Sequence, residues 1–155
     1  MNSLPSDQMI AVLDFGSQYS QLIARRVREH KVYCRILPYD ISVDELKKLA
    51  PKGIFLSGGP ASVYAKNSPI CDPDIFKMGI PILGICYGMQ LMAYLLGGKV
   101  EPTTTREYGF ASLSIDDHDD LFHDLDYKLQ VWMSHGDSVL KVPDGFEELA
   151  HTGSL

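Results

Sequence analysis

Residues 80–96 read IPILGICYGMQLMAYLL. The first six residues, IPILGI, form an apolar run of strand length bounded by Gly79 and Cys86. From Tyr87 onward, Met89, Met92, Ala93 and Leu96 recur at helical spacing and predict a helix over 87–96 with those residues facing the core. Between the two lies Gly84-Ile85-Cys86-Tyr87-Gly88, a G-x-C-x-G pattern. A strand that turns sharply into a helix holds its central residue in a strained conformation, which small flanking residues permit. Such an elbow lifts the central side chain out of the sheet beside a helix N-terminus. The partial positive charge there favours thiolate over thiol, so Cys86 is expected to have a lowered pKa and to act as a nucleophile.

The same alternation extends towards the N-terminus. Residues 9–15 (MIAVLDF), 32–37 (VYCRIL) and 53–57 (GIFLS) are short apolar runs, each closed by glycine or proline, and predict strands. Helices are expected over 20–30, with Tyr19, Ile23 and Val27 spaced for one face, over 43–50 before Pro51, and over 73–78. The order β-α-β-α-β-α-β-α implies an α/β fold: a mostly parallel open sheet with helices on both faces. Beyond Val100 the pattern changes to short strands, at 109–115, 128–133, 138–142 and 147–151, with turns such as Pro143-Asp144-Gly145 between them. They are expected to form a meandering, partly antiparallel extension of the same sheet. The last of them has barely begun when the sequence stops at Leu155, so the sequence reads as the N-terminal piece of something longer.

Composition narrows the function. The 155 residues are 45% hydrophobic and 22% charged, in keeping with one ordinary globular domain. A net charge of −6 and a pI near 5.2 argue against a nucleic-acid surface, which needs an excess of Lys and Arg. Arg25, Arg26 and Arg28 read as a solvated helix face. No apolar run is long enough for a membrane span, and residues 1–8 lack a signal-peptide pattern, so a cytoplasmic location is expected. Three cysteines at wide spacing fit neither a disulfide framework nor a zinc site. Cys34, inside a strand, reads as core packing; Cys71, between Pro69 and Pro73, reads as a surface thiol. No phosphate-loop motif is present, and Ser57-Gly58-Gly59 runs on into Pro60-Ala61, without the acidic residue of a pyrophosphate loop. No cofactor or metal site is expected on this chain.

Five segments together carry a family resemblance: Asp14 through Tyr19 with the following QLIARRVRE, Leu56-Ser57-Gly58-Gly59-Pro60, the elbow with Met89 and Gln90, Arg106-Glu107-Tyr108-Gly109, and Trp132-Met133-Ser134-His135-Gly136-Asp137. In this order they resemble the class I, triad-type glutamine amidotransferases, with a flavodoxin-like sheet. The first and last segments are most similar to the branch that serves GMP synthetases. The resemblance covers nearly the whole sequence.

The resemblance implies that Cys86 attacks the glutamine amide. The tetrahedral oxyanion would be held by the backbone N–H groups of Tyr87 and Gly59. Gln90, one helical turn past Cys86, and Ser134, His135, Gly136 and Asp137 would bind the amino-acid end of the substrate. Tyr108 would help close the site or contact a neighbouring domain. Ammonia would pass to an ATP-pyrophosphatase domain, of the same polypeptide or a partner subunit, that aminates XMP to GMP with ATP and Mg. That domain, and a homodimer contact within it, lie outside this sequence.

The family's triad also needs a His and a Glu, found in a His-Pro-Glu segment. None occurs here: the histidines are His30, His118, His123, His135 and His151, and only His118 and His135 are followed at two residues by an acid, Asp120 and Asp137. The sequence is therefore expected to represent an incomplete amidotransferase domain, inactive by itself. Two other readings stay open. One is the glutaminase subunit of another class I enzyme, of the anthranilate or CTP synthase type. The other is a non-catalytic amidotransferase-like module.

Overall fold

The computed structural model describes residues 8–153, without the side chains of residues 103–108, Ser134 and His135. The chain divides into two compact units, Met1–Leu95 and Leu96–Leu155.

The first unit is built on four parallel strands: β1 (Ile10–Asp14), β2 (Cys34–Pro38), β3 (Gly53–Leu56) and β4 (Ile82–Gly84). Their order is β2-β1-β3-β4. Central β1 has Val12 opposite Ile36 on one side and Phe55 on the other. A strand covered on both faces has no polar side to show, and Ala11, Val12 and Leu13 are all fully buried. The order 2-1-3-4 reverses direction between β1 and β3. In open α/β sheets that switch point opens a crevice at the carboxyl ends of the strands. The expected open parallel sheet is therefore present in this unit.

Helix α1 (Ser20–Glu29) packs on β1 and β2, α2 (Val43–Leu49) joins β2 to β3, and α3 (Tyr87–Leu95) packs on β3 and β4. Two buried faces differ from the sequence pattern. In α1 the fully buried residues are Ser20 and Ala24, while Tyr19 caps the helix in solvent. Ser20 Oγ donates to Asp14 Oδ1 at 2.8 Å, which draws that face inward. In α3 the buried residues are Tyr87, Gly88, Gln90, Leu91 and Ala93; Met89 and, just past the helix, Leu96 are exposed. Apolar residues of α3 itself fall on every face of the helix, so periodicity does not select its buried side. Backbone contact at Gly88 does.

Residues 73–78, expected as a helix, form a short 3₁₀ turn at Pro73–Lys77, begun by Asp72 Oδ1 accepting from the N–H of Asp74 at 3.0 Å. Cys71, expected at the surface, is buried at 2% exposure. The Tyr87 hydroxyl donates to the Pro69 carbonyl at 2.6 Å and fastens this loop onto the unit.

The second unit is a separate three-stranded antiparallel sheet, not an extension of the first. Strand β5 (Lys99–Ile115) lies between β6 (Lys128–Lys141) and β7 (Ala150–Thr152). The two strands expected at 128–133 and 138–142 are one, because the ladder runs on through residues 134–137. The break in pattern is absorbed by a register shift between Pro102 and Glu107, where proline cannot donate to the ladder. Among the described residues no helix is long and apolar enough to cross a membrane.

Helix α2 illustrates how local chemistry sets these boundaries. Ser42 Oγ accepts from the N–H of Glu45, Glu45 answers at the Ser42 N–H, and Ala50 ends the helix in the left-handed region before Pro51. Replacing Ser42 with alanine is expected to lower stability by about 1 kcal/mol, measurable as a shifted urea midpoint with an unchanged slope.

Candidate active site

The elbow is present. Between β4 and α3, Cys86 adopts φ 50°, a left-handed conformation that a side chain other than glycine enters at a cost of about 1–3 kcal/mol. The surroundings impose it. Ile85 N–H donates to the Leu56 carbonyl at 3.0 Å, and Gly88 N–H donates to the Ser57 carbonyl at 3.1 Å. The chain is thus bound to the end of β3 on both sides of Cys86. Both flanking glycines are required by this closeness. A Cβ on Gly84 would lie 2.6 Å from the Met89 nitrogen, and one on Gly88 would collide with the Leu56 carbonyl.

The glycine turn after β3 stands directly beside the elbow. A Cβ on Gly58 would lie 3.6 Å from Cys86 Cβ and 3.7 Å from Ser17 Oγ. A Cβ on Gly59 would come within 2.6 Å of the Phe15 carbonyl, so this glycine is needed for the approach of the β1 turn. The segments following β1, β3 and β4 therefore meet at the carboxyl ends of the strands, beside the switch point. Ser17 is a resident of this corner to which its sequence motif gave no role. Its Oγ accepts from the Tyr19 N–H at 2.9 Å.

Tyr87 is 1% exposed, its ring tilted against Phe15 at 5.5 Å between centroids. Its side chain serves the core and its backbone serves the elbow. Gln90 is buried, and its N–H donates to the Cys86 carbonyl at 3.0 Å, one turn along the helix. Thus Gly59, Cys86, Tyr87 and Gln90 all belong to the first unit.

Ser134, His135, Gly136 and Asp137 lie on β6 of the second unit, where Ser134 pairs with Tyr108, His135 with Glu107 and Asp137 with Pro102. Asp137 is buried. The side chains of Tyr108, Ser134 and His135 lie outside the described residues.

The profile of the Glutamine amidotransferase class-I family matches residues 11–154. The chain belongs to the class I glutamine amidotransferases. It is 60% identical over 146 residues to the GMP synthase (glutamine-hydrolysing) of Prochlorococcus marinus strain MIT 9303, an alignment covering 94% of this chain and 28% of that protein. With the enzyme of the same name from Gloeothece citriformis strain PCC 7424, identity is 61% over 145 residues, 94% of this chain and 27% of the other. The chain thus spans little more than a quarter of the length of these curated relatives. Among solved structures, a Thermoplasma acidophilum protein provisionally described as one subunit of a GMP synthase superposes with a TM-score of 0.79 at 28% identity, covering 94% of this chain and 73% of that one. A glutamine amidotransferase from Thermotoga maritima shares the fold at 20% identity and a TM-score of 0.72, covering 93% and 66% of the two chains.

The three thiols of this amidotransferase chain differ in setting. Cys34 is buried and donates to the Ala24 carbonyl at 3.3 Å, as a core cysteine. Burial pushes the Cys71 thiol up to about 11. Cys86 is partly accessible, and burial raises its pKa as well. This direction is opposite to the lowered value expected from the helix N-terminus. The end of α3 acts within one turn and at modest strength, whereas withdrawal from water penalises the anion directly.

On the second unit, donor atoms of Asp116, Glu148 and His151 come within 4.8 Å of one another at the surface. His151 Nδ1 is 2.6 Å from Asp116 Oδ2, a distance that an imidazole–carboxylate hydrogen bond explains without an ion.

Two outcomes are expected. Iodoacetamide should label Cys86 first in the folded protein, with Cys34 and Cys71 reacting only after unfolding. Because only the thiolate reacts, the Cys86 rate should keep climbing above the ordinary thiol range as pH is raised; peptide mapping over a pH series checks both points. Gly88→Ala should destabilise by about 1–3 kcal/mol through overpacking against β3, seen in urea denaturation.

Proposed function

We propose that this chain is the glutamine-hydrolysing part of a GMP synthase, with Cys86 as its nucleophile. The observation that carries the reading is the left-handed Cys86 at the head of α3, beside the Gly58-Gly59 turn. Strain of this kind persists only where surrounding contacts over-determine it, and it exposes a side chain that a relaxed strand end would bury.

The chemistry follows from the placement. As Cys86 sulfur bonds to the amide carbon of glutamine, the carbonyl electrons move to oxygen, and the N–H groups of Gly59 and Tyr87 receive the charge. Collapse of this intermediate releases ammonia, which takes a proton as the C–N bond breaks. Water then cleaves the thioester to give glutamate and the free thiol. A base must accept the Cys86 proton and return it. By the family resemblance this is the histidine of a His-Pro-Glu segment, a sequence not found within residues 1–155. Gln90, one helical turn past Cys86, recognises the amino-acid end of the substrate.

Ammonia then serves an ATP- and Mg-dependent amination of XMP to GMP, carried out by an ATP-pyrophosphatase domain of the same polypeptide or of a partner subunit. In this reading the enzyme works in the cytoplasm as a homodimer joined outside the amidotransferase domain. The high identity to GMP synthases over 94% of the chain favours this branch over anthranilate or CTP synthase types.

The division of labour gives the test. In the complete protein, Cys86→Ala should abolish GMP formation with glutamine and leave the rate with ammonium salt unchanged. Equal loss with both nitrogen donors, or glutaminase activity that survives the substitution, overturns the assignment.

A further inference from the structure

Ser57 sits at the end of β3 with its side chain fully out of solvent, at 0% exposure. Four hydrogen bonds converge on it. Its N–H donates to the Leu13 carbonyl at 3.1 Å, and its carbonyl accepts from the Gly88 N–H at 3.1 Å. Its hydroxyl oxygen accepts from the Phe15 N–H at 3.0 Å, and its hydroxyl proton is donated to the Gly58 carbonyl at 2.9 Å.

The last bond has a consequence for the neighbouring peptide. The carbonyl of Gly58 and the N–H of Gly59 belong to one planar unit, and the chain has no cis peptide bond among the described residues. In a trans peptide these two groups point in opposite directions. Holding the Gly58 carbonyl against the buried hydroxyl therefore fixes the Gly59 N–H to point away from it. Glycines on both sides of this peptide leave its rotation without steric restraint from side chains. Without the hydroxyl, this peptide loses the hydrogen bond that orients its carbonyl. The Phe15 bond adds direction: by accepting from Phe15, the Ser57 oxygen leaves its single proton to the Gly58 carbonyl.

We infer that Ser57 is a positioning residue for glutamine hydrolysis, whose buried hydroxyl locks the Gly58–Gly59 peptide with the Gly59 N–H available to the oxyanion. It touches neither substrate nor reacting atoms. The inference rests on the proposed roles of Cys86 and Gly59. An oxyanion donor contributes more in the transition state than in the ground state, so its disorientation lowers kcat rather than weakening substrate binding.

The test uses the complete protein with Ser57→Ala and Ser57→Cys, the second nearly isosteric and a weaker donor. Three quantities are measured: glutaminase kcat and KM, the ammonium-dependent amination rate, and affinity for glutamate γ-semialdehyde. The Cys86 sulfur adds to the aldehyde carbon, the carbonyl pair moves to oxygen and the thiol proton passes to that oxygen, giving a hemithioacetal whose oxygen occupies the oxyanion position. Loss of one oxyanion donor is worth about 10²–10³-fold in kcat, and a donor left in mixed orientations is expected to lose about 10- to 100-fold. In Ser57→Ala, kcat and aldehyde affinity should fall together by that amount. KM for glutamine should stay within about twofold, and the ammonium-dependent rate should not change. Ser57→Cys should show the same split with a smaller loss, and it carries the test alone if Ser57→Ala does not fold. Either folded variant with wild-type kcat and aldehyde affinity overturns the inference. So does a loss confined to KM, the mark of a disturbed pocket. Cys86→Ala, run in parallel, separates failure of this inference from failure of the nucleophile assignment. Glutaminase activity in Cys86→Ala removes the nucleophile, whereas an inactive Cys86→Ala with a fully active Ser57→Ala removes only the lock.

Discussion

The first unit depends on one close approach: the backbone of Gly88 resting on the carbonyl of Leu56, at a distance that excludes any Cβ. A helix normally stands off a sheet by the depth of its side chains. Here the first turn of α3 lies against β3 itself, and its Gly88 N–H reaches the Ser57 carbonyl. With the helix start held there, the chain leaving β4 has only Ile85 and Cys86 in which to change direction. The left-handed φ at Cys86 is the geometric remainder of that constraint. Strain of about 1–3 kcal/mol at one residue is small beside the burial of Leu56, Tyr87 and Leu91, all at most 1% exposed, which the same approach secures.

This explains which parts of the molecule were legible in the sequence. The parallel strands were readable because each is a short apolar run closed by glycine or proline, and the elbow because its two glycines have no alternative. The buried face of α3 was not. Periodicity assumes that side chains make the contact, and in α3 the closest contact is made where there is none. Met89 and Leu96 look like core residues by spacing and lie outside, while Gln90 looks polar and lies inside. The β5–β6 pair was misread as well: 128–133 and 138–142 read as two strands, but the ladder continues between them and absorbs its irregularity by shifting register. Cys71 was misplaced because the sequence does not show that its loop packs inward, where the Tyr87 hydroxyl bonds the nearby Pro69 carbonyl.

Ser57 shows another limit of sequence reading. Within Leu56-Ser57-Gly58-Gly59-Pro60 the glycines attract attention as a turn, and the serine reads as the polar end of a strand. Only the structure shows that it faces inward and that its one donor and one of its acceptor positions are both used, joining the β1 turn to the β3 turn. A buried hydroxyl satisfied on both sides costs little to keep. Its removal leaves the Phe15 N–H and the Gly58 carbonyl without their partner at once.

The raised pKa of Cys86 bears on how such a site would work. Burial disfavours the ionised form of the Cys86 thiol. On the proposed assignment, a base takes the Cys86 proton, and negative charge builds on the amide oxygen as the C–S bond forms. Stabilisation is then needed at the oxygen more than at the sulfur. Donors fixed in advance supply it without reorganisation during the reaction, at a point where low polarity strengthens each hydrogen bond. On the proposed assignment, the desolvation that makes the free thiol reluctant to ionise also strengthens the oxyanion donors, and the turns after β1, β3 and β4 would provide both effects from one corner.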